Sequence, residues 1–234
     1  MNRGKRELIL SLLLFLILSA LSSLVYARSP YPYEPDFGRV ALGRNDDGSA
    51  GPFDLGFEFT LYGTTYTQFW INNNGNITFH GPMWTYTPFA FPNDQGAVII
   101  APFFADVDTR GSGSGVVYIN DSTPGQVVIT WDRVGYYGWH TDKLNSFQLI
   151  LQDDATFGFD DGDHIGFCYG DLEWTTGDAS GGSGGLGGTP AAAGFDSGNG
   201  VDALQLAGSF TAGILNLANT ICWFNASGGI PGDI

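Results

Sequence analysis

Apolar and aromatic residues arrive along this chain in short bursts bounded by turn formers: FEFTLY, TYTQFWI, NITFH, VIIAPFF, VVYI, QVVITWDRV, SFQLILQ, HIGFCYGDLEW, ALQLAG and TICWF. Alternating or aromatic runs of this length, repeated at this cadence, predict many short strands closing into a sandwich or barrel. No fixed-period repeat and no heptad pattern interrupts them. The intervening turns are chemically specific. In NNNGN, from Asn72 to Asn76, Asn74-Gly75 can take positive φ and close a tight hairpin. The stretch TTGDASGGSGGLGGTPAAAGF is so rich in glycine that it predicts either a flexible loop or a close approach of backbone to backbone.

Two segments stand outside this pattern. MNRGKRE is a basic start, LILSLLLFLILSALSSLV an apolar run, and Val25-Tyr26-Ala27 a small-residue cleavage signal, so residues 1–27 read as a signal peptide. An uncleaved anchor is the alternative, and Ser19, Ser22 and Ser23 weaken it. Next, Pro30, Pro32 and Pro35 predict an extended lead-in over residues 28–41. Residues 42–234 then form one all-β, sandwich-like domain with long glycine-rich loops.

Composition agrees. Eighteen Phe, ten Tyr and six Trp accompany 35 Gly and only nine Lys plus Arg, a poor mixture for long helices. The net charge is −15. Losing residues 1–27 removes three positive charges and one negative, leaving −17. Such acidity argues against nucleic acid and against docking on an anionic membrane, and leaves calcium, basic proteins or plain solubility. The two cysteines, Cys168 and Cys222, could form one disulfide in an exported protein or remain two buried thiols.

Candidate chemistry gathers at FFADVDTR. On a continuous strand, Phe104, Asp106, Asp108 and Arg110 share one face, which places two carboxylates and a guanidinium in a row. That row is either an acid/base or metal pair or an ion-paired network pinning a strand end, and Arg110 favours the network. Calcium is a weaker reading through Asp46, Asp47, Asp106 and Asp108, or through Asp160, Asp161 and Asp163, and no EF-hand register fits. His80, His140 and His164 have no metal-site spacing, and the GGSGG and GSGGLG matches lack the strand and helix that a nucleophile elbow or phosphate loop needs. No catalytic set emerges, no cofactor is required, and the chain reads as non-enzymatic. Aromatic residues in two loops, Trp84 and Tyr86 in one and Tyr136, Tyr137 and Trp139 in the other, are the candidate ligand contacts.

Taken in order, LGRNDDGSAGPFDLGFEFTLYGTTYTQFWINNNGNITFHG, IIAPFFADVDTRGSGSGVVY, VITWDRVGYY, DKLNSFQLIL and LEWTTGDASGGSGGLGGTPAAAGF resemble the nidogen-like extracellular domain. NDDGS and DKLNSFQL are closer to its secreted bacterial branch. The resemblance implies a secreted, extracellular β module of cell-matrix adhesion, with matrix or cell-surface proteins or glycans as partners and no membrane insertion after signal cleavage. A calcium-dependent, lectin-like carbohydrate-binding module is the alternative. The family motifs fall on Pro102, Asp106 and Asp108 with Arg110, on Trp131 and Asp132, and on Trp174 and Asp178, all expected to be framework: Pro102 at a strand start or edge, the tryptophans buried, the aspartates in turns.

Overall fold

The computed structural model describes residues 33–93 and 95–228; the signal peptide expected at residues 1–27 lies outside them. Among the described residues two large antiparallel sheets form the body of the domain, and a two-stranded hairpin stands apart from them. The first contains β1 (Arg39–Leu42), β6 (Val107–Asp108), β7 (Val117–Asn120), β8 (Gln126–Tyr136), β9 (His140–Gln152), β10 (His164–Tyr169) and β15 (Ile221–Asn225). Its order is β1-β7-β8-β9-β10-β15, with β6 also paired to β8. The second runs β14 (Ala203–Gln205), β13 (Ala192–Asp196), β5 (Ile99–Phe104), β4 (Asn76–Thr78), β3 (Thr64–Asn72) and β2 (Ser49–Leu61). Among the described residues the one α-helix, α1, is the four-residue Asp154–Phe157.

The β8–β9 hairpin shows how the period-2 pattern becomes a sandwich. Ile129 pairs with Leu149 and Trp131 with Phe147, and all four side chains enter the main core. From the facing sheet come Phe59, Phe69, Ile71, Ile77, Ile100, Phe103 and Phe195. Phe103 of β5 meets Phe147 of β9 at 5.3 Å between ring centroids, and the Trp174 ring at 5.7 Å, so the sheets touch through aromatic edges and faces.

Both sheets are also covered outside. Val128, Ile150 and Cys168 face away from the main core, and Tyr33 packs on them. The Gln148 side chain accepts from the Glu34 N–H at 2.8 Å and donates to the Glu34 carbonyl at 2.9 Å. The lead-in expected over residues 28–41 is therefore not separate from the domain: residues 33–38 are laid along this face, and residues 39–41 already belong to β1, paired with β7. Ile99, Ala101 and Phe104 form a second small cluster with Phe91, against which Phe89 and Met83 pack. Covered on both faces, β5 is buried at all six positions, which explains its unbroken apolar run.

One expectation needs correction, and one pair of alternatives is decided. Pro102 lies inside β5, between β4 and β13, and is neither at a strand start nor at an edge. Ala192 pairs with Phe104 and Gly194 with Ala101, so an irregularity in the ladder falls where proline has no N–H to offer. Nor are Cys168 and Cys222 bridged. On the paired strands Cys168 stands opposite Ile221 and Cys222 opposite Phe167, one register step apart. Their side chains therefore leave opposite faces of one sheet, where no disulfide can form without moving backbone.

Candidate functional site

The site begins with the asparagine turn joining β3 to β4. Asn72, Asn73, Asn74 and Asn76 are all buried. Gly75 alone in this turn takes positive φ, +74°, and a Cβ there would stand 1.8 Å from the Phe103 carbonyl oxygen. Glycine is required both for the conformation and for the contact. The turn lies directly on the end of β5. The Ala105 N–H donates to the Asn74 carbonyl at 3.3 Å, the Val107 N–H to Asn74 Oδ1 at 3.0 Å, and Asn73 Nδ2 to the Val107 carbonyl. The Trp131 indole N–H, inside the core, donates to the Asn73 carbonyl at 3.1 Å.

Held this way, the chain bends between β5 and β6, the Val107 N–H returning to the Ala105 carbonyl at 2.9 Å. The bend breaks the strand alternation and separates the two aspartates. Asp108 turns to Arg110, accepting from Nε at 2.9 Å, from Nη2 at 2.7 Å and from the backbone N–H at 2.9 Å, and it also accepts from the Trp139 N–H at 3.1 Å. Burial opposes its ionisation, but these hydrogen bonds outweigh burial and hold the carboxyl below its usual range.

Asp106 is 1% exposed and neither carboxylate oxygen has a hydrogen-bond partner. Its oxygens and those of Asp46 and Asp47 can be chosen within 4.8 Å of one another. Burial first, then the charges of Asp47, Asp46, Asp108 and Asp178, push Asp106 up to about 7. Burial, Asp47 and Asp108 push Asp46 up to about 6 against the pull of Arg110. Asp46 gives Oδ2 to Arg110 at 2.9 Å and keeps Oδ1 buried without a partner. Its segment is fixed to β6 by an Asp46–Asp108 bridge and by the Thr109 N–H donating to the Asn45 carbonyl at 3.0 Å. Asp47 has positive φ, +59°, and accepts from Asn74 Nδ2 at 2.7 Å. The calcium reading therefore loses Asp108, whose oxygens are taken by Arg110, and keeps Asp46, Asp47 and Asp106 as the group with metal-ligand spacing.

The glycine-rich segment closes the group from the other side. It is a 3₁₀ turn (Asp178–Ser180) and a hairpin of β11 (Gly182–Ser183) and β12 (Leu186–Gly187), cross-bonded to its own start by the Thr175 N–H on the Gly185 carbonyl at 2.7 Å. Of the two predicted alternatives, close backbone approach prevails. A Cβ on Gly177 would lie 2.5 Å from Asp106 Oδ2, so this backbone rests on the carboxylate.

Around the acidic centre stand the aromatic loops. Trp84 is 68% exposed, and the carbonyl of the adjoining Thr85 accepts from Asn74 Nδ2 at 3.2 Å. Trp139 is 60% exposed, its φ is +65°, and its ring lies 4.9 Å from the Arg110 guanidinium carbon. Tyr86 is exposed and Tyr137 half-buried. Tyr136 leaves the candidate contacts. It is 1% exposed, packs against Trp174 and His140, and donates its hydroxyl to Asp142 at 2.8 Å. Trp131 and Trp174 are fully buried, Trp174 donating to the Val134 carbonyl at 3.0 Å; Asp132 is half-buried and Asp178 accepts from His140 at 2.9 Å.

A cleft of about 480 Å³ at the other end of the β8–β9 hairpin is lined by Asp153, Asp154, Asp161 and Asp163. Two of these carboxylates serve the fold: Asp153 caps α1 by accepting from the Thr156 N–H at 2.6 Å, and Asp163 accepts from Thr60 and Asp154 amides. Neither His140 nor His164 is hydrogen-bonded to a serine, threonine or cysteine among the described residues, each ring pairing with an aspartate.

Comparison with known proteins matches the sequence to a family model. The nidogen-like domain model matches residues 67–128 and 123–229. Alpha-tectorin of Gallus gallus is 32% identical over 219 residues, 82% of this chain and 10% of that protein. Alpha-tectorin of Mus musculus is 34% identical over 200 residues, 75% of this chain and 9% of that protein. Nidogen of Drosophila melanogaster is 31% identical over 150 residues, 52% of this chain and 10% of that protein. The chain thus spans about a tenth of the length of these relatives. No solved structure matches it. The model match extends from β3 to β15 and takes in the asparagine turn, the Asp106 bend and the glycine hairpin, and with it the chain belongs to the nidogen-like domain family.

Proposed function

We propose that this chain is a secreted, non-enzymatic extracellular-matrix module that attaches to matrix or cell-surface partners, protein or glycan, through the aromatic rim of its acidic end. The observation that carries the reading is the pair Trp84 and Trp139, both more than half exposed on loops anchored to one carboxylate cluster. Large exposed aromatics held on rigid supports suit an interface, because they bring contact area at little entropic cost. Trp139 adds a further sign: a bulky residue at positive φ is strained, and it is held there by its N–H on Asp108 and its ring on Arg110. Membership of a family that includes tectorins and nidogens supports the matrix setting.

Binding of the purified chain to immobilised extracellular matrix and to a defined glycan array tests this. Trp84→Ala and Trp139→Ala, each with an unchanged melting temperature, should lower retention at least about tenfold. Retention equal to the parent chain in both variants removes the rim from the function. Glycan spots retained only with calcium would favour the lectin-like alternative over a protein partner.

A further inference from the structure

We propose that Asp46, Asp47 and Asp106 bind one calcium ion, which crosslinks the segment before β2 to the bend between β5 and β6, beneath the aromatic rim. This site stands independently of what the rim binds.

Two separate observations carry it. The first is spacing. Oxygens from three carboxylates lie within 4.8 Å of one another, whereas ligands on opposite sides of a calcium ion at 2.3–2.6 Å are about 5 Å apart. One ion can therefore reach all three side chains from where they stand. The second is the state of the donors. Asp106 is 1% exposed with both oxygens unpartnered, and Asp46 Oδ1 is buried and unpartnered as well. A buried carboxylate without a hydrogen bond or a counter-ion is strongly disfavoured, and such groups are normally paired or coordinate a metal.

The surroundings supply no other solution. Arg110 satisfies Asp108 and Asp46 Oδ2, and no lysine, arginine or histidine is paired with Asp47 or Asp106 among the described residues. Four carboxylates are thus set against one guanidinium. Asn73 belongs to the same layer. Its N–H donates to the carbonyl of Gly48, next to Asp47, and its Nδ2 to the carbonyl of Val107, next to Asp106, while its Oδ1 is buried without a partner. That amide oxygen is the natural further donor on the segment joining the two.

The donor set selects the ion. All the groups are hard oxygens, with no imidazole or thiolate among them, which disfavours zinc and other transition metals. Magnesium demands near-ideal octahedral geometry and retains several waters, whereas calcium accepts irregular sets of six to eight oxygens. A buried carboxylate pressed by the Gly177 backbone has little room for a hydrated ion, which favours calcium.

The test is calorimetric titration of the purified, chelator-treated chain with calcium chloride, alongside its melting temperature in calcium, in magnesium and in chelator. One site per chain is expected. An extracellular site with a dissociation constant near 10⁻⁴ to 10⁻³ M should raise melting by at least about 3 °C at 5 mM calcium, and clearly less in magnesium. Asp106→Asn should abolish both the heat and the shift, while melting in chelator no lower than the parent. Asp47→Asn, at a half-exposed position, should weaken calcium binding at least about tenfold and serves if Asp106→Asn does not fold. No heat and no shift in the parent chain would overturn the proposal. So would an undiminished calcium response in either variant, which would place the ion elsewhere, or an equal shift with magnesium.

Discussion

Asp106 and Asp108 lie two residues apart and end in opposite electrostatic states: Asp108 is clasped by Arg110 and the Trp139 amide, whereas both oxygens of Asp106 are buried without a partner. The two neutralising substitutions should therefore differ in sign. In chelator, Asp106→Asn removes a buried, unpaired charge and should raise melting by a few degrees. Asp108→Asn strips a charged partner from Arg110 and should cost about 2 kcal/mol or more, a loss of roughly 4–8 °C for a domain of this size. Parallel thermal melts decide it, and equal losses would mean that Asp106 is stabilised by a contact the structure does not contain.

The same carboxyls set a pH dependence for the metal-free chain. Asp106 is pushed up to about 7 and Asp46 to about 6, both first by burial, with Asp47, Asp108 and Asp178 adding repulsion and Arg110 opposing it at Asp46. A carboxyl whose folded pKa lies above its unfolded value of about 3.9 binds more protons when folded, so stability increases as pH falls from about 8 towards 5. Calcium competes for the same oxygens and keeps them deprotonated in the folded chain, so it should cancel the trend and add most stability at pH 7 and above. Melting profiles from pH 5 to 8 should therefore fall with rising pH in chelator and run nearly level in saturating calcium.

Little of this divergence was legible beforehand. The run FFADVDTR correctly marked the place where acidic groups concentrate, and the aromatic cadence correctly announced two sheets. The strand period, however, put Asp106, Asp108 and Arg110 on one face, because nothing local reveals the bend at Ala105, which is imposed by Asn74 from about thirty residues away. Asn74 reads only as a turn former for the same reason: its burial comes from the strand end beneath it. Tyr136 and Trp139 are three residues apart in one aromatic segment, yet one fills the core and the other faces solvent. Only the hairpin register, with Tyr136 paired to His140, tells them apart.

Gly75 and Gly177 should respond to alanine in different ways. At Gly75 the new Cβ meets backbone at 1.8 Å and the residue must hold φ +74°, so Gly75→Ala should cost several kcal/mol or prevent folding. At Gly177, φ is an ordinary −77° and the Cβ meets the Asp106 side chain instead. Gly177→Ala should fold, with calcium binding weakened by displacement of the carboxylate. Melting and calorimetry on both variants separate backbone from ligand effects, and full calcium affinity in Gly177→Ala would mean that the Asp106 carboxylate can yield without cost to the ion.

Reducing agent supplies the last test, on the two cysteines. A bridge that closed the 168–222 loop would constrain the unfolded chain and stabilise the domain by about 4 kcal/mol, so its reduction would lower melting by roughly 8–16 °C. The structure predicts no such loss. Cys168 is buried with Val128 and Ile150 on the outer face of its sheet, while Cys222 packs against the main core on the other face. Thiol titration of the unfolded chain should return two thiols, and melting with and without reductant should coincide. A reductant-sensitive melt would require β10 and β15 to pair in a register different from the one that places Ile221 opposite Cys168.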